Sequence, residues 1–224
     1  MDDSLKNQIL SSLPKEEYKR LSPYLKPVEL SLNDILLRPQ HKLEKLYFPT
    51  KGIVSLLSEM KNGSTTEIGI IGSEGVVGIF PFLGGGISKN QSIVQSKGTA
   101  MQVSREALQS EYDKNGILPK LLLSYSLKLF NQVSQCAACN NHHSVQQRIA
   151  RWILMLDDRN EQETLLMTQQ LLSKMLGVRR TGVTKIAKEL KRQEIIEYHR
   201  GRIKILNRQS LESIACECYQ VIRK

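Results

Sequence analysis

The sequence predicts an α+β fold with an N-terminal antiparallel β-roll of the jelly-roll type, then a long helix, then a C-terminal winged helix-turn-helix. Three observations predict it. Residues 26–103 contain short β-type runs separated by turn residues, and residues 119–140 carry a seven-residue apolar repeat. Residues 167–207 contain two short amphipathic runs joined by a glycine, and then two β-type runs around a second glycine. Such patterns distinguish strands, with a period of about 2, from helices, with a period of about 3.6.

Length and composition are those of a globular protein with one or two domains. The 224 residues are 40% hydrophobic and 24% charged, and both values are ordinary for that class. No apolar run approaches the roughly 20 residues that a membrane-spanning helix needs. The N-terminal stretch MDDSLKNQILSS lacks the apolar segment of a signal peptide. We therefore expect a cytoplasmic protein with reduced cysteines and no membrane partner.

The positive charge of the chain is concentrated in one segment. Residues 168–208 hold 11 Lys and Arg against 3 Asp and Glu, a net charge of +8, whereas the whole chain carries +10. Residues 1–113 hold 13 of each sign. A local cationic patch attracts the dense phosphates of double-stranded DNA through counterion release, and DNA is therefore the expected partner.

The N-terminal half predicts helices followed by strands. Residues 4–25 predict two helices, with Pro14 at the first turn of the second. The β-type runs that follow are 28–30, 35–37, 45–48, 53–60, 67–71, 92–95 and 100–103. The residues that separate them include Pro49, Lys51-Gly52, Asn62-Gly63 and Lys97-Gly98, of which Asn62-Gly63 is a strong hairpin signal. Many short strands favour an antiparallel roll, which a helix at residues 104–111 closes.

A long helix is predicted from Pro119 to about Asn140. Its apolar residues recur every seven positions, which favours packing against the same helix of a second chain. The residues expected in this dimer seam are Leu122, Leu129, Phe130, Val133, Cys136 and Ala137. The same stripe would also arise if the helix were buried against its own roll.

The C-terminal part predicts a helix, the helix-turn-helix and a hairpin. Ser144 and Gln147 fit a capping box, Thr168 can N-cap the next helix, and Gly177 can end it. The following helix turns inward the residues Val183, Ile186, Ala187 and Leu190. Its outer face carries Thr181, Thr184, Lys185, Lys188 and Arg192. The predicted domains are 1–116 for the roll, 117–141 for the dimerisation helix and 142–224 for the winged helix-turn-helix.

This order of elements resembles that of the Crp/Fnr family of bacterial transcription regulators along the whole chain. The resemblance is most specific in residues 140–224, through the segments NNHHSVQQRIARWILMLDDR, MLGVRRTGVTKIAKEL, HRGRIKIL and CECYQVIRK. It implies a homodimer that binds a palindromic promoter site, with RNA polymerase as a candidate partner. It also implies that the roll is a sensor domain similar to a cyclic nucleotide-binding domain, and that the protein is not an enzyme.

The resemblance also implies roles for individual residues at the DNA. The positions at which family members read base edges are Arg180, Thr181 and Lys185. Contacts to the DNA backbone are expected from Thr168, Gln170, Arg179, Thr184, Lys188, Arg200 and Arg202. Many members carry a glutamate where this chain has Thr181, and a hydroxyl cannot replace a carboxylate that accepts from cytosine. The familiar Crp half-site is therefore not expected.

The expected effector pocket departs from the cyclic-nucleotide pattern of the family. In that pattern a Gly-Glu pair holds the ribose and an arginine holds the cyclic phosphate, but here Gly75 is followed by Val76 and residues 88–92 contain no arginine. The residues at the corresponding pocket positions of this chain, as the resemblance implies them, are Gly75, Val76, Val77, Asn90 and Gln91. Cyclic AMP is not expected to bind, and no cofactor is predicted.

We expect the four cysteines to pack as small residues on helix faces, and no metal site is predicted. None precedes Cys136, so the N-terminal cysteines of Fnr-type iron–sulfur sensors are absent. Cys136 and Cys139 have C-x-x-C spacing, and a regulator that senses a metal or redox state through them is the alternative. Cys216 and Cys218 fit neither pattern. A cupin-like β-roll enzyme is disfavoured because His41 is the single histidine of the roll.

Overall fold

A computed structural model describes residues 3–160 and 163–223, and it begins with short helices. A 3-10 turn at Asp3–Lys6 precedes helices α1 (Gln8–Ser11) and α2 (Lys15–Leu21), and a second 3-10 turn covers Ser22–Tyr24. The two predicted helices are therefore confirmed, and Pro14 lies one position before the predicted first turn of α2, as its N-cap.

The first sheet is antiparallel wherever its register is described. Its strands are β1 (Lys26–Leu30), β2 (Ile35–Leu37), β3 (Lys45–Glu59), β4 (Thr65–Ile71) and β5 (Gln91–Ser104). Their order is β1-β5-β3-β4, and β2 also pairs with β5. Both β1 and β2 pair with β5 in antiparallel register.

Two strands are longer than the sequence predicts, because residues that usually break strands lie inside them. Pro49 and Gly52 lie within β3, and Gly98 lies within β5. Gly52 has φ +89°, and a β-carbon added at Gly98 would lie 2.1 Å from the carbonyl oxygen of Lys51. These glycines permit a close approach of β3 and β5 and do not form turns. The predicted breaks at Pro49, Lys51-Gly52 and Lys97-Gly98 are therefore wrong.

The chain divides into two compact units, residues 1–56 with 70–130 and residues 57–69 with 131–224. The first unit contains helices α3 (Ile79–Leu83) and α4 (Arg105–Tyr112). Ser104 caps α4 by accepting from the Ala107 amide at 3.2 Å, which confirms the predicted closing helix. The sequence did not predict α3, since IFPFL is a five-residue run with an internal proline.

Helix α5 (Leu118–His142) follows, and a buried carboxylate holds its first turn. Glu17 of α2 accepts from the backbone amides of Ile117 at 2.8 Å and Leu118 at 3.0 Å. Glu17 and Leu118 are both buried, so the Leu118 amide has no access to water as an alternative partner, whereas Ile117 is exposed.

Replacing Glu17 with alanine is expected to lower the free energy of unfolding by about 2 kcal/mol, because two amides at the start of α5 lose their acceptor. Chemical denaturation monitored by circular dichroism measures the change. Glu16 is exposed on the same helix and serves as the control. An equal loss in Glu16→Ala would show that the effect comes from helix α2 in general and not from the cap.

The second unit contains the remaining helices and a small sheet. Its elements are α6 (Val145–Asp157), β6 (Leu165–Leu166), α7 (Gln169–Leu176), α8 (Arg180–Arg192), β7 (Ile196–His199), β8 (Arg202–Ile205), α9 (Arg208–Ile214) and α10 (Cys218–Ile222). The capping box of Ser144 and Gln147 is confirmed. The sheet order is β6-β8-β7, so the predicted hairpin gains a third strand. Within the described residues, no helix has the length and apolar character needed to cross a membrane.

Candidate nucleic-acid interface

The helix-turn-helix has the local geometry that its sequence predicts. Thr168 Oγ1 accepts from the Leu171 amide at 3.1 Å and caps α7. Gly177 ends α7 with φ 63°, in the left-handed region that glycine adopts at little cost. Val183, Ala187 and Leu190 of α8 are buried, whereas Ile186 is half-buried. This packing fixes which face of α8 is turned to solvent.

The outer face of α8 is polar and largely cationic. The exposed residues on or next to its first three turns are Arg179, Arg180, Thr181, Lys185 and Lys188. Arg179 is the N-cap residue, and its side chain makes no capping hydrogen bond. The inward and outward faces predicted for α8 are therefore confirmed for these residues, and all five side chains are available to an external partner.

Thr184 differs from its neighbours on α8. It is half-buried, and its hydroxyl lies 2.6 Å from Gln169 Oε1 and 3.0 Å from the Arg180 carbonyl oxygen. A hydroxyl has one proton to donate, and both nearby acceptors belong to the protein. A phosphate oxygen would need that same proton. Thr184 therefore joins α7 to α8, and the predicted contact with the DNA backbone does not fit its surroundings.

The β-hairpin is held against the start of α7. The Met167 amide donates to the Gly201 carbonyl at 2.6 Å, and the Tyr198 hydroxyl donates to the Met167 carbonyl at 3.0 Å. Arg200 has φ 45° and Gly201 has φ 77°, as a type I′ turn requires. A β-carbon at Gly201 would lie 3.1 Å from Thr168 Cγ2, so a larger residue would push the hairpin away from the cap.

A groove of about 350 Å³ lies between the hairpin, the start of α7 and the start of α8. Its lining residues are Thr168, Gln169, Gln170, Arg180, Tyr198, His199, Arg200 and Gly201. Two arginines and the first residues of α7 thus line one concave surface, and the positive end of the α7 dipole adds to a setting that suits an anionic chain. Burial raises the pKa of the Tyr198 hydroxyl, so this lining group stays neutral. Sequence reasoning did not identify Gln169, Tyr198 or His199, which have no charge pattern to mark them.

The apolar residues of α5 fall on two faces, and the predicted seam mixes them. Leu122, Leu129 and Cys136 are 0%, 2% and 6% exposed within their own chain, so the predicted seam is wrong at these positions. Phe130 is 58% exposed and Ala137 is also exposed, whereas Val133 is half-buried. The seven-residue repeat of Leu122, Leu129 and Cys136 therefore reflects packing inside the protomer.

A different, largely apolar stripe on the same helix is exposed to solvent. The exposed positions at spacings of four and three residues are Leu123, Leu127, Phe130, Ser134, Ala137 and Asn141. Leu123 and Leu127 are 63% and 59% exposed. This spacing is that of the a and d positions of a coiled coil, so the exposed stripe can pack against an identical helix.

The first unit contains a largely apolar cavity of about 230 Å³. Its lining residues are Leu37, Leu56, Ile71, Gly78, Ile79, Phe80, Pro81, Gly84, Ile87, Ser88, Lys89, Asn90, Ser92 and Leu129. Of the five predicted pocket residues, Asn90 lines this cavity and Gln91 does not. Gly75, Val76 and Val77 lie in the core, where a β-carbon at Gly75 would be 2.2 Å from the Tyr125 ring. Lys89 supplies the one charge among the lining residues.

The four cysteines are all buried, and Cys136 and Cys139 have different neighbours. Cys136 lies beside Arg151, whose Nη1 donates to its sulphur at 3.4 Å. Cys139 lies instead 3.4 Å from Cys216, sulphur to sulphur. Burial raises the pKa of Cys136, and it raises the pKa of Cys139 to about 12, so neither thiol ionises at neutral pH unless a cation binds to its sulphur. The two thiols of the alternative C-x-x-C interpretation therefore have different nearest partners.

Comparison with known proteins identifies both halves of the chain. Residues 27–115 match the family described as cyclic nucleotide-binding domain, and residues 147–214 match the Crp-like helix-turn-helix domain. No curated protein sequence matches the chain significantly.

Solved structures share the fold at low sequence identity. FixK2 from Bradyrhizobium japonicum superposes with a TM-score of 0.74 at 15% identity, over 86% of this chain and 98% of that one. A Crp/Fnr-family transcriptional regulator from Thermus thermophilus gives 0.69 at 18% identity, over 85% and 98%. The c-di-GMP-responsive regulator CLP from Xanthomonas campestris gives 0.70 at 16% identity, over 86% and 99%. With both domain types present in this order on this fold, the chain belongs to the Crp/Fnr family of transcriptional regulators.

Proposed function

We propose that the protein is a homodimer that binds a palindromic DNA site through helix α8. The exposed cationic start of α8 beside the groove carries this proposal. In helix-turn-helix proteins the N-terminal residues of the second helix contact base edges in the major groove. The proposed base-reading residues are Arg180, Thr181 and Lys185. The proposed backbone contacts are Thr168, Gln170, Arg179, Lys188, Arg200 and Arg202.

The positions of these residues around the groove support separate roles, with some contacting phosphates and others contacting bases. Thr168, Gln170 and Arg200 lie around its concave surface, at the edge of α8, where a sugar-phosphate strand would pass. Contacts to phosphates set register and orientation, whereas base contacts set sequence preference. Arg180 lines the same groove from the start of α8, so its guanidinium can reach a base edge next to a bound strand.

Selection of binding sites from random double-stranded DNA tests the proposed function. We expect the selected sites to contain two inverted half-sites about one helical turn apart, since each protomer presents one α8. Footprinting of a selected site then locates the two contacted major grooves. Recovery of single, unpaired half-sites or of random sequence would contradict a dimeric, sequence-specific reader.

We propose the exposed stripe of α5 as the dimer seam. Leu123, Leu127 and Phe130 are each more than half exposed, and large apolar residues with a regular spacing commonly mark an interface. Two copies of α5 placed side by side would cover them. A seam of this kind also sets the distance between the two DNA-binding units, on which the half-site spacing depends.

We propose that the cavity of the first unit binds an effector other than cyclic AMP. Its lining is mainly apolar, and Lys89 is an exposed point charge that cannot form the two parallel hydrogen bonds of a guanidinium with a phosphate. An apolar ligand with one polar group fits the lining better than a cyclic nucleotide does. We also propose that the regulator acts in the cytoplasm and that it contacts RNA polymerase at the promoter.

Calorimetric titration with cyclic AMP is expected to give no saturable heat up to millimolar nucleotide. The missing arginine and the apolar lining are the reason. Lys89→Arg provides a comparison, because it adds a guanidinium at the one charged lining position. A micromolar dissociation constant for the parent protein would show that the nucleotide binds without the usual anchor.

A further inference from the structure

Four potential metal ligands meet at the end of α5 in the second unit. They are Cys139, His143, Cys216 and Cys218, termed here the Cys3His cluster. Their ligand atoms all lie within 4.8 Å of one another. We propose that the Cys3His cluster binds one thiophilic divalent metal ion of the zinc class in a closed tetrahedral site.

The distances within the cluster are those of ligands around a single ion. Cys139 and Cys216 are 3.4 Å apart, sulphur to sulphur, and Cys218 Sγ is 3.6 Å from His143 Nδ1. Zinc bonds of about 2.3 Å to sulphur and about 2.0 Å to nitrogen give tetrahedral edges of about 3.8 Å and about 3.5 Å. The two measured distances differ from these edges by a few tenths of an ångström, and no pair of ligand atoms would have to approach by more than about 1.3 Å to complete the coordination sphere.

Two short segments bring these ligands together. Cys139 and His143 are four residues apart at the end of α5, where the His143 amide donates to the Cys139 carbonyl at 3.1 Å, so both side chains lie on one face. Cys216 and Cys218 flank the start of α10 with one residue between them. The signal in the sequence was thus C-x3-H followed by C-x-C, and not the C-x-x-C spacing of Cys136 and Cys139.

The cluster is closed to solvent. Cys139, Cys216 and Cys218 are 0%, 3% and 1% exposed, and the side chain of His143 is 15% exposed. Four protein ligands without an open position are typical of structural zinc sites, whereas catalytic sites keep a position for water. The geometry therefore points to an ion that stabilises the protein and does not react.

His143 is oriented as a metal-binding histidine would be. Its Nδ1 faces Cys218, while its Nε2 lies 3.1 Å from Glu217 Oε1. Histidine ligands usually donate their second ring N–H to a carboxylate or carbonyl, which fixes the ring and its tautomer. Gln135 Nε2 also donates to Cys218 Sγ at 3.0 Å, as expected beside a negatively charged sulphur.

Two buried arginines next to the cluster need a negative partner. Arg148 and Arg151 are 8% and 3% exposed, and the Nε atom of each has no hydrogen-bond partner among the described residues. Their described hydrogen bonds go to the Leu176 carbonyl and to the sulphurs of Cys136 and Met155, none of them a carboxylate. Three thiolates with a divalent ion carry a charge of about −1, which would compensate buried guanidinium groups.

The geometry disfavours two other chemistries of cysteine. A two-iron cluster spreads its ligands around two metals and two sulphides, which a group confined to 4.8 Å does not allow. A disulfide between Cys139 and Cys216 would need a bond of about 2.05 Å and would leave His143 and Cys218 without a role. The single-ion site is the arrangement that uses all four groups.

Metal analysis of the full-length protein, purified under reducing conditions after growth with added zinc, tests the proposal. We expect one zinc per chain. After removal with a chelator, titration with Co²⁺ alone should give the visible bands of tetrahedral cobalt and a thiolate-to-cobalt charge-transfer band, saturating at one ion per chain. Absence of bound zinc together with absence of these bands would overturn the proposal.

Matched variants locate the ion. Cys139→Ser and His143→Ala should lose stoichiometric metal, whereas Cys136→Ser and His142→Ala should keep one ion per chain, because neither residue belongs to the cluster. Glu217→Gln should weaken binding about tenfold while keeping the cobalt spectrum.

Equal retention of metal in the two cluster variants and the two control variants would overturn the site. So would iron with acid-labile sulphide, or a Cys139–Cys216 disulfide in the freshly purified protein. Because the cobalt titration uses the parent chain, poor folding of a variant does not prevent the test.

Discussion

Replacing both Leu127 and Phe130 with glutamate is expected to convert the protein to a monomer and to weaken operator binding by about 10²–10⁴-fold. Two carboxylates from each chain would enter the proposed seam, where losing water is costly. A monomer also loses the advantage of binding two half-sites at once, which has this magnitude for linked binding modules. Sedimentation at micromolar protein and binding to a selected operator measure the two effects.

The controls separate assembly from folding. Lys128 is exposed at the b position that follows Leu127, away from the seam, so Lys128→Glu adds a carboxylate outside the seam and should leave the dimer intact. Leu129 is buried within its own chain, so Leu129→Glu should destabilise the fold of the first unit. If the double variant sediments as the parent protein does, the dimer forms through another surface.

Replacing Arg180 with alanine is expected to cost roughly 1–3 kcal/mol per half-site and to relax the preference at one base pair. The two half-sites of a dimer would together lose roughly 2–6 kcal/mol, because distant and independent sites add. The reason is that the planar guanidinium can make two hydrogen bonds to one guanine, and alanine leaves that base edge unread. A binding series over single-base operator variants at several salt concentrations measures both effects.

Arg202→Ala is the contrasting variant, since Arg202 is exposed at the start of β8 beside the hairpin turn. It should weaken all sequences about equally and lower the salt slope by roughly 1 for each phosphate that the protein no longer neutralises. The assignment of Arg180 is wrong if Arg180→Ala keeps the base preferences of the parent protein and changes only the salt dependence.

Several elements could be predicted because the residues that decide them are close in the sequence. The capping bonds of Thr168 and Ser144 each span three residues, and the left-handed turn at Gly177 depends on that residue alone. The alternation of buried and exposed residues on α8 follows from its helical period. The location of the cationic surface followed from counting charges, and most of those side chains are exposed in the structure.

Other features depended on what packs against each segment. Gly98 looked like a turn residue because nothing local shows that Lys51 approaches it within van der Waals distance. From the sequence, the Thr184 hydroxyl was predicted to contact a DNA phosphate. In the structure it donates to Gln169 Oε1 at 2.6 Å, and nothing in the local sequence indicates that partner. The cavity of the first unit is likewise lined in part by α3, a helix too short to have a recognisable period.

By itself, the sequence determined the broad order of roll, long helix and winged helix-turn-helix, the outward cations of α8, and the family that this order and its motifs resemble. The helix-turn-helix could be predicted because its caps and faces depend on residues a few positions apart. Tertiary structure alone decided two things. Helix α5 carries two apolar stripes with the same seven-residue repeat, so periodicity cannot tell whether Leu129 or Phe130 faces solvent. The position of the roll against the helix decides it. Cys139 and Cys216 are 77 residues apart, and only the folding of the chain between them brings their sulphurs together.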